Sequence, residues 1–185
     1  MTNDSFVLRI ATPGDLAAIT RLMAASIADL QKDFLTPAEI EASKDIMGLD
    51  TQLIADGTYF VVEEGAAIVG CGGWSRRKTL FGGDHTAGRD SGFLDPATDA
   101  AKIRAMYTDP GHVRRGIGKL VLHACEHAAA AAGFTRVEMA ATLAGVPLYE
   151  AAGYRKIEAF RSPTRTGVEV PLWRMAKDLA APLRR

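Results

Sequence analysis

Cysteine is scarce: only Cys71 and Cys125 occur in 185 residues, and they form no Cys-x-x-Cys pair. They read as small buried residues in a reducing compartment, not as a redox or disulfide pair. Net charge is also missing, with 22 Lys plus Arg against 22 Asp plus Glu. That balance argues against a protein that grips nucleic acid with a broad basic face. No apolar run approaches membrane-spanning length, and Met1-Thr2-Asn3-Asp4-Ser5 lacks the basic and apolar regions of a signal peptide. Internal repeats and clear linkers are absent, and Arg184-Arg185 is short enough to read as a solvated tail. The expectation is a cytoplasmic protein, long enough to bury a proper core, folded as one domain over residues 1–185.

What is present alternates between strand and helix signals. Phe6 to Ala11 reads as a short strand, followed by Thr12-Pro13-Gly14-Asp15, a helix start with a capping threonine, an early proline and an acid at the third position. Leu16, Ile19, Leu22, Met23, Ile27 and Leu30 then follow at helical spacing. Thr36-Pro37-Ala38-Glu39 repeats the capping logic for a second helix to about Met47. Tyr59 to Glu63 and Ala67 to Gly73 are expected to pair as a hairpin across Glu64-Gly65-Ala66. A polar, glycine-bearing stretch, Ser75 to Ala100, is longer than most loops in compact domains, which marks it as a functional or mobile excursion. Then come a strand (Lys102 to Thr108), a helix (Ile117 to Ala132), a strand (Thr135 to Ala140), a short helix (Gly145 to Ala152) and a last pair of strands (Tyr154 to Phe160, Val168 to Met175).

The most informative segment joins the strand ending at Thr108 to the helix beginning at Ile117. Its turn, Asp109-Pro110-Gly111-His112-Val113-Arg114-Arg115-Gly116, is basic and carries glycine where a helix starts. The first N–H groups of a helix have no intrahelical partner and sit at the positive end of its dipole, so such a turn suits a phosphate or pyrophosphate. Arg114, Arg115 and Lys119 add formal charge, and Gly116 and Gly118 let a ligand lie close to the backbone. A Walker loop fails, because Leu120 stands where its hydroxyl residue belongs; the dinucleotide fingerprint fails at Val121, where a third glycine is required.

Val113-Arg114-Arg115-Gly116-Ile117-Gly118 resembles the acetyl-coenzyme A loop of the GNAT superfamily of N-acetyltransferases, Arg/Gln-x-x-Gly-x-Gly/Ala after a strand, with Val113 where Arg or Gln is usual. A second run, Leu148-Tyr149-Glu150-Ala151-Ala152-Gly153-Tyr154, is similar to the superfamily's Tyr-Glu-x-x-Gly-aromatic segment. The element order β-α-α-β-β-β-α-β-α-β-β extends the resemblance over nearly the whole chain. It implies an α/β protein with a mixed sheet between helices. It also implies an acetyl-coenzyme A dependent N-acetyltransferase, which transfers acetyl to a primary amine of a small molecule or peptide by direct attack. Coenzyme A contacts then fall to Met106, Thr108, Val113, Arg114, Arg115, Gly116, Ile117, Gly118 and Lys119, with Thr142 near the place of an asparagine common in the superfamily. Tyr149 would protonate the departing sulfur. Neither a metal nor a nucleic-acid or membrane partner is implied, and a homodimer is left open.

Two other readings compete. The fold could survive as a catalytically silent acyl-coenzyme A sensor. Alternatively, His123-Ala124-Cys125-Glu126-His127 matches the His-x-x-Glu-His pattern of inverted zinc peptidases. Yet at ~100° per residue, Ile117, Val121, Ala124, Ala128 and Ala131 share a face and the histidines fall on its flank. A helix packed on a sheet with solvated histidines shows the same pattern. For the acceptor side, Trp74, Arg76, Asp84 and His85 are candidates, with Ser75 to Ala100 expected to set substrate choice. The strand Lys102 to Thr108 carries no acid, so a base for the amine must come from elsewhere: Asp84, His85 and Glu63 are the options.

Overall fold

The seven strands of the computed structural model, which describes residues 6–179, are β1 (Val7–Ile10), β2 (Tyr59–Glu64), β3 (Ala67–Ser75), β4 (Ala101–Thr108), β5 (Arg136–Thr142), β6 (Arg155–Ser162) and β7 (Val170–Asp178). The helices are α1 (Leu16–Leu30), α2 (Pro37–Ser43), α3 (Thr51–Ala55), α4 (Ile117–Ala131) and α5 (Val146–Ala151). Met1–Ser5 and Arg184-Arg185 lie outside the described residues. One sheet, ordered β1-β2-β3-β4-β5-β7-β6, holds all seven strands, and only β4 and β5 pair in parallel.

Local chemistry sets the elements much as expected. Asp15 accepts the Thr12 backbone N–H at 2.7 Å and Thr36 Oγ1 accepts the Glu39 N–H at 3.3 Å, closing a capping box at each helix entry. Two departures stand out. After Ser43 the chain tightens into turns in which Asp45 and Ile46 donate only three residues back, so α2 stops before Met47. The added helix α3 is five residues long, too short to show a period, and begins where Asp50 accepts the Gln52 N–H at 3.2 Å.

The core has two main layers. Ile19, Leu22, Met23 and Ile27 of α1 pack with Leu53 on Tyr59, Val61, Cys71 and Tyr107. On the opposite face α4 lies over Val62, Val69, Ile103, Val137 and Met139. Its buried stripe is Ile117, Val121, Leu122, Cys125 and Ala129, rotated from the one that includes Ala124, Ala128 and Ala131. Alanine contributes little to a periodicity, and the rotation is set instead by β3. A Cβ at Gly70 would overlap Ile117, and one at Gly72 would overlap Met106 and Val121, so these two glycines let the helix settle onto the sheet. Both cysteines are free and buried, and burial pushes the Cys71 thiol up to about 12. No helix among the described residues is long and apolar enough to cross a membrane.

Candidate functional site

The site begins where the sheet comes apart. β4 and β5 pair only at Ala101↔Val137 and Lys102↔Glu138, and beyond that the strands diverge. The cause lies in β4. Its register on β3 slips so that Cys71 faces Tyr107 and Gly73 faces Arg104, which leaves Ala105 and Met106 opposite Gly72. This is a β-bulge, and Ala105 takes a left-handed conformation, φ 51°, that a residue with a Cβ ordinarily avoids. Tyr59 holds it there by donating its hydroxyl to the Ala105 carbonyl at 2.7 Å.

Following β4, the basic turn and α4 bring backbone donors to the mouth of this opening. Gly116 is the N-cap, at φ 86°, and the first helical bond runs from Leu120 N–H to Gly116 O at 3.0 Å. The N–H groups of Ile117, Gly118 and Lys119 therefore precede the ladder and face outward. Arg114 shares the left-handed conformation, φ 64°. A Cβ on Gly118 would meet Leu148 Cδ2 at 2.8 Å, so this glycine also allows α5 to close against α4. Arg115 turns away from the opening: it pairs with Glu64 at 2.6 Å and stacks on Phe6, 4.9 Å from the ring centre.

His112 anchors the turn from beneath. Its Nδ1 meets Asp109 at 2.7 Å and its Nε2 meets Glu64 at 2.9 Å, so both ring nitrogens face carboxylates. The hydrogen bond to Asp109, then that to Glu64, raises its pKa above the ordinary value. A raised folded-state pKa means that the imidazolium stabilises the fold in full below the unfolded value, about 6.5, and that this contribution disappears as pH rises through the folded value. His112→Asn, neutral throughout, is expected to lower the thermal midpoint most near pH ~6 and least near pH ~9. Equal deficits at both ends would show that the ring's charge contributes nothing.

Two cavities flank the split. The larger, about 740 Å³, runs from the turn at Val113, Arg114 and Gly116 past Lys119 to Tyr149, along the C-terminal half of α1. The smaller, about 80 Å³, lies under Leu80, Phe81 and Gly82 and reaches Arg104. Met47, Met106, Tyr107, Thr142 and Tyr149 line both, so these side chains form the shared wall. Tyr149 is gripped by Tyr154, 5.9 Å between ring centres, and by Gly145, where a Cβ would meet its ring at 2.7 Å. Its hydroxyl makes no hydrogen bond among the described residues. Burial pushes its pKa well above the usual phenol value, which keeps the proton on the oxygen. Tyr107 is likewise raised by burial, and its hydroxyl oxygen accepts the Gly48 N–H at 3.0 Å. Thr142 Oγ1 accepts the Gly145 N–H at 3.3 Å and so shapes the turn into α5.

Met106, Thr108, Val113, Arg114, Gly116, Ile117, Gly118, Lys119, Thr142 and Tyr149 thus gather around one cavity, and the Arg115 side chain does not. The four acceptor-side candidates lie elsewhere. Trp74 is buried in the core, edge-on to Phe134 at 6.2 Å. Arg76 is exposed. Asp84 accepts the Thr51 N–H at 3.0 Å at the start of α3, and His85 Nε2 donates to the Lys44 carbonyl at 2.7 Å. Glu63 is taken by Arg9 at 2.5 Å. No Asp or Glu among the described residues lines either cavity. On α4, Glu126 turns into the core to meet Lys177 at 2.8 Å while His123 and His127 are exposed, so the three cannot converge on one ion.

Sequence reasoning missed a buried charge cluster beside the smaller cavity. Arg104 pairs with Asp50 at 2.9 Å, and their side chains are 3% and 0% exposed. Arg104 also donates to the Gly82 carbonyl, and Arg89 reaches the other Asp50 oxygen at 2.8 Å. Burial pulls the Arg104 guanidinium down and Asp50 opposes that shift. The available signal was Lys102 and Arg104 at alternate positions of a strand otherwise apolar, where exposed charge is out of place.

The sequence model of the family described as "Acetyltransferase (GNAT) family" matches residues 24–154. No curated protein matches the chain. Among solved structures, the chain is similar to a GCN5-related N-acetyltransferase from Rhodopseudomonas palustris, at 20% identity, with 97% of this chain and 99% of that one covered and a TM-score of 0.70. It is also similar to the PaiA N-acetyltransferase from Thermoplasma acidophilum in complex with coenzyme A (12% identity, 94% and 99% covered, TM-score 0.64). A third is YncA, a putative acetyltransferase from Salmonella typhimurium with acetyl-CoA (15% identity, 97% of each chain, TM-score 0.63).

Proposed function

This chain belongs to the GNAT acetyltransferase family, and on that premise we propose that it moves an acetyl group from acetyl-coenzyme A to the primary amine of a small molecule or peptide, as one domain over residues 1–185. One observation carries the reading: a single cavity runs from the unpaired N–H groups at the start of α4 to the unbonded hydroxyl of Tyr149, through the split between β4 and β5. Pyrophosphate is assigned to the N–H groups of Gly116 to Lys119, with Arg114 and Lys119 adding charge. The pantetheine arm follows Met106 to Thr108, whose backbone is freed from β5 by the bulge.

The chemistry is direct transfer. The amine nitrogen, once deprotonated, attacks the thioester carbonyl; a C–N bond forms, the C–S bond breaks, and the thiolate takes the Tyr149 proton, which solvent later replaces. An amine with a pKa near ~10 is mostly protonated at neutral pH. With no carboxylate among the described residues of either cavity wall, its protons are assigned to water.

Acetyl-coenzyme A presented with a panel of primary amines tests the reading. Amine-dependent, saturable thiol release is expected, together with coenzyme A binding by calorimetry. Tight binding without thiol release for any amine would favour a silent acyl-coenzyme A sensor instead.

A further inference from the structure

The smaller cavity has a chemistry of its own. Its walls are apolar, from Ile46, Leu80, Phe81 and Leu172, and the one charged residue among the described residues that line it is Arg104. That guanidinium is 3% exposed, yet its Nε N–H has no hydrogen-bond partner among the described residues. Leaving a buried donor unmade is costly, so this one is open to an acceptor atom that is not part of the chain. Its neighbours favour a negative one. Lys102, two residues earlier on the same face of β4, and Arg174 both bind Glu138, while Arg89 shares Asp50 with Arg104. These are four cations against two anions. Counting Asp84, exposed and 3.5 Å from Arg89, the balance is still positive.

A complementary group sits across the shared wall. Gln31 is buried and lines the larger cavity, and its Oε1 has no partner among the described residues. Its Nε2 points to Ser43 Oγ at 3.3 Å and to the acceptor-only Ile27 carbonyl, which fixes the amide with its oxygen free. An unpaired oxygen by the larger cavity suits an N–H donor, and an unpaired N–H at the smaller one suits a carboxylate.

We propose that the acceptor is a short amino acid with an apolar side chain, its carboxylate held by Arg104 and its amine presented past Gln31 toward the thioester. Size agrees. About 80 Å³ is the share of roughly three waters, room for a carboxylate and little more, with the rest of a short amino acid extending past the shared wall into the larger cavity, and too little for a folded polypeptide segment. The identification rests on the acetyltransferase reading above and names the substrate class of the same site.

Matched substrates test it without altering the protein. Alanine, valine and leucine are compared with their carboxamides, which keep size and amine but lose the charge. The free acids are expected to exceed the amides by about 10² in kcat/KM, although the amides have the less basic and more readily deprotonated amines. Arg104→Lys, which keeps the charge beside Asp50 but lacks Nε, should raise KM for the acids by ~10-fold or more and narrow the preference for acids over amides. Calorimetric affinity for acetyl-coenzyme A should not change in this variant. Amides turned over as well as acids, or acids inert while coenzyme A binds and other amines react, would overturn the assignment and leave the acetyltransferase reading standing. Failure to bind acetyl-coenzyme A at all would defeat that reading instead.

Discussion

Tyr149→Phe is expected to lower turnover by roughly 10²–10⁴ while the Michaelis constant for acetyl-coenzyme A stays nearly fixed. The ring is what the fold uses. Tyr154 and Gly145 hold it, and its hydroxyl bonds to nothing among the described residues, so phenylalanine should fit without loss of stability. The hydroxyl is what the proposed reaction uses. A thiolate leaving into a buried wall needs a proton, and Tyr149 is a protonated group shared by both cavities. Burial raises its pKa, so its loss of a proton should add no alkaline limb to the rate profile below pH ~10. Turnover within about threefold of the parent would assign the proton to water or to Tyr107 across the wall, or show that a step other than chemistry limits the rate.

How much of this was legible in the sequence follows from the range of the interactions involved. Thr12, Asp15, Thr36 and Glu39 cap helices through neighbours three residues away, and the turn from Asp109 to Lys119 is contiguous, so both could be read directly. The acceptor side could not. Asp50, Gly82, Arg89 and Arg104 meet only because the Ser75 to Ala100 excursion folds back. Arg77 pins that excursion to Asp56 at 2.7 Å, and Thr79 Oγ1 donates to the Asp90 carbonyl at 2.7 Å. Polar residues in that stretch looked like candidate ligands, yet Asp84 and His85 are spent on holding it against Lys44 and Thr51. Its apolar residues, Leu80 and Phe81, are the ones that line the cavity. The bulge at Ala105 left no mark either. Alanine is a poor signal for a left-handed conformation, and the bond that holds it comes from Tyr59, in another strand.

The same contrast between local and tertiary contacts shapes the probe of the anion cradle, Gly118→Asp. Position 118 is the second residue of α4, where an acid normally complements the helix dipole, so the variant should fold. Its carboxylate would lie where the pyrophosphate is assigned. Two like charges ~4 Å apart at an effective dielectric of about 20 repel by about 4 kcal/mol, which corresponds to a loss of about 10³ in affinity for coenzyme A. The new Cβ also meets Leu148 Cδ2 at 2.8 Å, and that steric effect must be separated from charge. Gly118→Ala adds the same Cβ without the carboxylate. Leu148 lines the cavity and its methyl can swing away, so alanine should cost less than ~10-fold in affinity. Calorimetry on the two variants, with circular dichroism to confirm the fold, distinguishes the possibilities. Equal losses would make Gly118 a packing residue between α4 and α5, and an aspartate variant that binds like the parent would remove coenzyme A from this turn altogether.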